Sequence, residues 1–100
     1  RTASPGQRIV LHARDRGCSY PGCGIPGYLT EAHHIDDWIP DGPTNIDNLT
    51  FACKPHHRLV TNHGWTTTKD RLGRTVWHPP PQLELPGGTN DTHHPERYLE

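Results

Sequence analysis

The sequence predicts a small α+β domain built around a metal, with an N-terminal helix, a zinc knuckle and a C-terminal β-hairpin. Three observations predict it. The chain has 100 residues of which 30% are hydrophobic, with no Met and one Phe, so its apolar core is thin and needs a staple. Ten glycines and eleven prolines cut it into short elements. Its three cysteines and nine histidines include two short-spaced ligand pairs, Cys18 with Cys23 and Cys53 with His56.

The elements follow in order. Ser4-Pro5 reads as a helix N-cap followed by proline at the first helical position. A helix then runs over Gln7 to Asp15, with Ile9, Val10 and Ala13 as a modest apolar face and Gly17 as its end. Four arginines (Arg1, Arg8, Arg14 and Arg16) make this arm locally basic, the pattern of a solvated helix face. Residues 18–27 form a Pro/Gly-rich turn region that carries the first cysteine pair. Tyr28 to Ile35 alternates weakly, as a short strand does, and Asp41-Gly42-Pro43 is a turn. Asn45 to Ala52 is a loop entering a second strand. Lys54 to Val60 is a short helix with Pro55 in its first turn, broken by Asn62-His63-Gly64. Trp65 to Lys69 and Arg74 to Trp77 are strands of a hairpin turning at Asp70-Arg71-Leu72-Gly73. Trp38 and Trp65 read as core plugs. After Pro79-Pro80-Pro81 the chain is polar and reads as a tail that packs loosely or wraps the domain. The expected division is a basic helix over 1–17, a metal-stapled domain over 18–81 and a tail over 82–100.

Two borderline-soft ligand pairs, Cys18/Cys23 and Cys53/His56, are the arithmetic of one tetrahedral zinc. The competing reading is a Cys18–Cys23 disulfide with Cys53 buried and free. An odd cysteine count and a histidine at the fourth position favour zinc. Six of the nine histidines form the pairs 33–34, 56–57 and 93–94. His93-His94 falls in the tail, where a solvated pair is expected, and His12 and His78 read as incidental.

Ten Lys+Arg against eleven Asp+Glu exclude a generic basic coat for nucleic acid but leave room for a local basic face. No apolar run approaches ~18 residues, which excludes a spanning helix. No signal-peptide pattern opens the chain, so the expected location is the cytoplasm, and a first residue of Arg suggests a piece of something longer.

Glu31-Ala32-His33-His34-Ile35, then Gly42 and Asn48-Leu49, then Cys53-x-x-His56-His57, interleaved with the cysteines, resembles the HNH nuclease superfamily. The carried motif is His34, Asn48 and His57, within roughly residues 18–65. Nearly the whole chain, from Arg8 to Cys18 and on through Trp77-His-Pro-Pro-Pro81 to His93-His94-Pro-Glu-Arg97, is similar to the C-terminal HNH domain of an actinobacterial repeat family. The resemblance implies a ββα-metal fold and a metal-dependent endonuclease that hydrolyses DNA phosphodiester bonds. It implies His34 as general base and Asn48 as a positioning residue. It implies His33 and His57 as ligands of one catalytic divalent ion (Mg2+, Mn2+, Ni2+ or Zn2+). A further histidine, one helical turn past His57 in many members, is Thr61 here, which leaves His63 as a candidate third ligand. His56 and His57 can also exchange roles, because neighbours on a helix diverge by ~100°. DNA is the expected partner, met by the arm arginines with Lys54, Arg58, Lys69, Arg71 and Arg74. Two other functions fit the same residues: a zinc-stapled nucleic-acid-binding module without catalysis, and a protein–protein module with purely structural zinc.

Overall fold

The computed structural model describes residues 3–36 and 45–99. The first helix, α1, spans Pro5–Arg14. Its start is a capping box: the Ser4 hydroxyl accepts from the Gln7 amide at 3.1 Å, and the Gln7 side chain accepts from the Ser4 amide at 2.8 Å. Ser4 as the cap and Pro5 as the first helical residue are as the sequence predicts. The end of the helix differs. Arg16, with φ 67°, takes the left-handed position, and Gly17 serves a different purpose described below.

The expected apolar face of α1 is not the face that packs. Ile9 and Val10 are 69% and 46% exposed, while Leu11 is fully buried. The helix meets the sheet along Arg8, Leu11, Arg14 and Asp15, and three of these four are charged. The reason is the carbonyls beneath them. Arg8 donates to the Gly27 and Thr30 carbonyls and lies 5.1 Å over the Phe51 ring. Arg14 donates to the carbonyls of Ile46 at 3.0 Å and Leu49 at 2.6 Å, while Asp15 holds its other edge. Half-buried carbonyls need donors, and guanidinium supplies several on a long apolar stem. Arg8 and Arg14 are therefore clamps rather than parts of a solvated face.

Strand β1 (Thr30–His34) pairs antiparallel with β2 (Leu49–Cys53), in a register that sets His33 opposite Thr50 and His34 opposite Leu49. Short 3-10 turns over Gly27–Leu29 and Ile46–Asn48 lead into the two strands, so the first is shorter than expected. Helix α2 (Lys54–Asn62) follows β2 without a break and runs two residues past the expected Val60; His63 is its C-cap and Gly64, φ 77°, lies just beyond. A second hairpin, β3 (Thr66–Lys69) and β4 (Thr75–His78), turns on Asp70, whose carboxylate accepts from the Leu72 and Arg74 amides.

Two small clusters form the core. Leu11, Leu49 and Phe51 join α1 to β2, and Ala52, Trp65 and Trp77 join β2 to the second hairpin. Between them the buried Thr75 hydroxyl donates to that of Thr50 at 2.7 Å, tying the two hairpins together. The expected core position of Trp65 holds; Trp38 and the turn at Asp41-Gly42-Pro43 lie outside the described residues.

The tail wraps. Gly88 exchanges two backbone hydrogen bonds with Trp77, both 2.9 Å, and a 3-10 turn closes the chain over Pro95–Leu99. His94 is 7% exposed, which overturns its expected solvation. His93 is half-buried for the same reason: this segment lies against the knuckle rather than in water.

Candidate metal centres

The knuckle brings Cys18, Cys23, Cys53 and His56 together, with their ligand atoms all within 4.8 Å of one another. Each arrives by a different route. Cys18 follows the reversal after α1 and Cys23 closes the Pro21-Gly22 turn. Cys53 is the last residue of β2, and His56 lies in the first turn of α2. The Cys18 sulfur lies 3.5 Å from His56 Nδ1, the Cys53 sulfur 3.1 Å from the same atom, and the sulfurs of Cys23 and Cys53 4.0 Å apart. A tetrahedral zinc sets sulfur–sulfur edges at about 3.8 Å and sulfur–nitrogen edges at about 3.5 Å. The four residues fit that ion, and all three cysteines are free of disulfides.

The surroundings suit a metal as well. Tyr20 stacks on the His56 ring at 3.9 Å and 14°, fixing its plane. The Cys53 amide points at the Cys18 sulfur at 3.4 Å, a contact that steadies a thiolate. Burial pushes the Cys18 thiol up to about 12, with nearby backbone amides opposing it. Burial raises the Cys53 thiol and lowers His56, which favours the neutral imidazole, the form that binds metal.

A second group gathers between β1 and α2. His33 is 6% exposed and its Nε2 lies 3.2 Å from the Thr67 hydroxyl. The His33 and His57 rings meet edge to face, 5.0 Å between centroids. His57 Nδ1 pairs with the Glu31 carboxylate at 3.0 Å. Glu31 and His33 are two apart on β1 and share one strand face, so strand alternation puts His34 on the other. There His34 Nε2 is buried with no hydrogen-bond partner among the described residues. Asn48 is buried and grips the chain just beyond β1. Its side chain accepts from the Asp36 amide and donates to the Asp36 carbonyl, both 2.9 Å, while its own carbonyl accepts from the Ile35 amide. His63 caps the far end of α2, exposed. It is six residues past His57, or ~9 Å along the helix axis. Thr61 bonds back to the His57 carbonyl instead.

Residues 18–63 match the HNH endonuclease family. The chain carries an HNH domain. It is 53% identical, over 99% of its length, to an uncharacterized protein of Mycobacterium tuberculosis, and 49% identical to an uncharacterized protein of Mycobacterium bovis. In each case it spans 22% of the relative's length. No solved structure matches it. Among the described residues no helix is long and apolar enough to cross a membrane.

The HNH domain uses residues that sequence reasoning missed. Glu31 and Thr67 hold the two histidines of the second group, and Tyr20 holds His56. The expected basic face also shrinks. Arg8 and Arg14 are spent on half-buried carbonyls, exposed Arg16 is paired with Glu96 and Lys69 Nζ is buried, which leaves Lys54, Arg58 and Arg71 exposed.

Proposed function

We propose that this HNH domain is a metal-dependent endonuclease that hydrolyses DNA phosphodiester bonds. The observation that carries the reading is the meeting of His33 and His57 across β1 and α2, 5.0 Å between ring centroids. In this reading β1, β2 and α2 are a ββα-metal unit and zinc sits in the four-ligand knuckle. His33 and His57 would hold a divalent ion, which when bound neutralises phosphate charge and eases departure of the 3′-oxygen. His34 would act as the general base that takes the proton from the attacking water. Asn48 keeps the end of β1 in place through the amide and the carbonyl of Asp36. Lys54, Arg58 and Arg71 meet backbone phosphates, and a cytoplasmic location belongs to the same reading. The test is conversion of supercoiled plasmid to nicked and linear forms by zinc-loaded protein across Mg2+, Mn2+, Ni2+ and Zn2+. Cleavage with at least one ion, absent in His34→Ala, supports it. No cleavage with any ion sinks it.

One contact favours a binding module without catalysis. Glu31 occupies His57 Nδ1, and Thr61 stands where a further ligand is expected. In that reading zinc-loaded protein shifts DNA mobility at low salt but leaves plasmid intact.

A further inference from the structure

We propose that Asn90, in the C-terminal wrap, is a positioning residue for the zinc knuckle: it fixes the gap between the Cys18 and Cys23 arms and so slows zinc release. The inference rests on zinc occupying the four-ligand site.

Asn90 is 6% exposed and every polar valence of its amide is used. Its Nδ2 donates to the Cys18 carbonyl at 2.8 Å and to the Cys23 carbonyl at 2.9 Å. Its Oδ1 accepts from the Gly22 amide at 3.2 Å and from the Thr92 amide at 3.0 Å. Three of the four bonds thus end on the loop between the first two metal ligands, two of them on the ligand residues themselves. Two carbonyls on one side and two amides on the other fix the orientation, since a flipped amide would face donor to donor and acceptor to acceptor.

The wrap itself is held at both ends, so Asn90 arrives on a fixed support. Upstream, Gly88 pairs with Trp77. A Cβ at Gly87 would come within 2.1 Å of the Trp77 carbonyl oxygen, so this approach requires glycine. Downstream, Arg97 donates to the Asn90 carbonyl at 3.2 Å and to Asp91 at 3.0 Å, and Arg16 donates to the His93 carbonyl and to Glu96. His93 Nε2 reaches the Cys23 carbonyl at 3.0 Å. The His93 ring lies where a Cβ of Gly17 would be, 2.4 Å away, which is the purpose Gly17 serves.

The geometry separates two jobs. The Cys53/His56 pair is spaced by β2 running straight into α2, so regular structure sets its bite. The Cys18/Cys23 pair lies on a Pro/Gly turn outside any named strand or helix; the Gly17–Pro26 bridge and the Cys18 amide bond to the Ile25 carbonyl close its base, but no backbone hydrogen bond joins Cys18 to Cys23 to set their spacing. Asn90 does that from outside, as a residue bonded to ligand backbones does at many metal sites, where its removal typically costs ~10–100-fold in metal affinity.

The experiment follows zinc transfer from folded, zinc-loaded protein to a chromophoric chelator, with Co2+ substitution to read ligand geometry. Asn90→Ala removes all four bonds. Asn90→Asp keeps the shape and the Gly22 contact but turns a carboxylate oxygen toward the two carbonyls. Thr75→Val, which loses the buried bond to Thr50, controls for general loosening. Both Asn90 variants are expected to release zinc ~10-fold faster or more, with altered Co2+ ligand-field bands, and Thr75→Val within about twofold of wild type. Release at the wild-type rate from either Asn90 variant, or acceleration by Thr75→Val equal to theirs, overturns the proposal. Loss of the fold in both Asn90 variants despite excess zinc, with Thr75→Val folded, also overturns it, because Asn90 would then govern folding rather than knuckle width. A wild-type chain that takes up no zinc refutes the four-ligand site itself, and the proposal with it.

Discussion

The Nε2 of His33 and the hydroxyl of Thr67 lie 3.2 Å apart, and both residues are buried. Through this contact the second hairpin supports the His33–His57 pair. A metal-binding imidazole is usually oriented by the partner of its other ring nitrogen. Thr67→Val keeps the shape and removes the hydroxyl. It is expected to weaken binding of the catalytic divalent ion by ~10-fold while leaving zinc in the knuckle. Calorimetric titration of zinc-loaded protein with Mn2+ or Ni2+ measures this. Unchanged affinity would make the contact a matter of packing alone.

Zinc removal is expected to unfold the domain. The two core clusters hold three buried residues each, and the knuckle joins α1, β2 and α2 at one point. Binding at such sites is worth on the order of 10 kcal/mol, comparable to the whole stability of a small domain. A strong chelator under reducing conditions should abolish the near-UV dichroism of Trp65 and Trp77 together with the melting transition. Metal-free protein that keeps both signals would show that the apolar clusters suffice.

The zinc set was legible because its members come in short pairs. Four residues separate Cys18 from Cys23 and two separate Cys53 from His56, so local chain geometry alone keeps each pair together. The two strands, α2 and the second hairpin were legible from Pro, Gly and Asx punctuation around short apolar runs. Asn90 and His93 were not. They bind backbone carbonyls some 70 residues away, and a carbonyl has no residue identity to leave in a pattern. The packing face of α1 was missed for a related reason: in a ten-residue helix one Leu11 and two guanidiniums do the burying, and Ile9 and Val10 suggest a different stripe.

Lys69 should make the protein more stable relative to Lys69→Met as pH rises. Its Nζ is buried with no hydrogen-bond partner among the described residues. Burial lowers its pKa from 10.5 to about 8, with Asp15 opposing and Arg14 reinforcing the shift. Below about pH 8 both folded and unfolded chains carry the charge, so the full penalty for holding it inside is present. Between about 8 and 10.5 the folded chain has released the proton and the unfolded chain still binds it, so stability rises with pH. After discounting for solvent screening the penalty is about 2 kcal/mol. Lys69→Met is therefore expected to be more stable than wild type at pH 7, by about that amount. The advantage should shrink toward pH 10. Urea titrations of both proteins across this range check it, and a variant less stable than wild type at pH 7 contradicts it.

The last expectation separates proton transfer from metal binding within the histidine group. His33 and His57 face each other across β1 and α2, while His34 alternates to the opposite face of the strand. On the proposed roles, His34→Ala removes the base and leaves the ligands. Metal affinity and DNA binding should then stay near wild type, and cleavage should fall by ~10²–10⁴ at every metal concentration. His57→Ala removes a ligand instead. Metal affinity should drop, and raising the ion concentration should restore part of the lost rate. Glu31→Gln tests the same site from its neighbour. It keeps the hydrogen bond to His57 Nδ1 but removes the charge, so it should weaken metal binding less than His57→Ala does. Cleavage rate against metal concentration, with calorimetric binding for each variant, distinguishes the roles. Rescue of His34→Ala by excess ion, with His57→Ala binding metal normally but inactive, would exchange the two assignments.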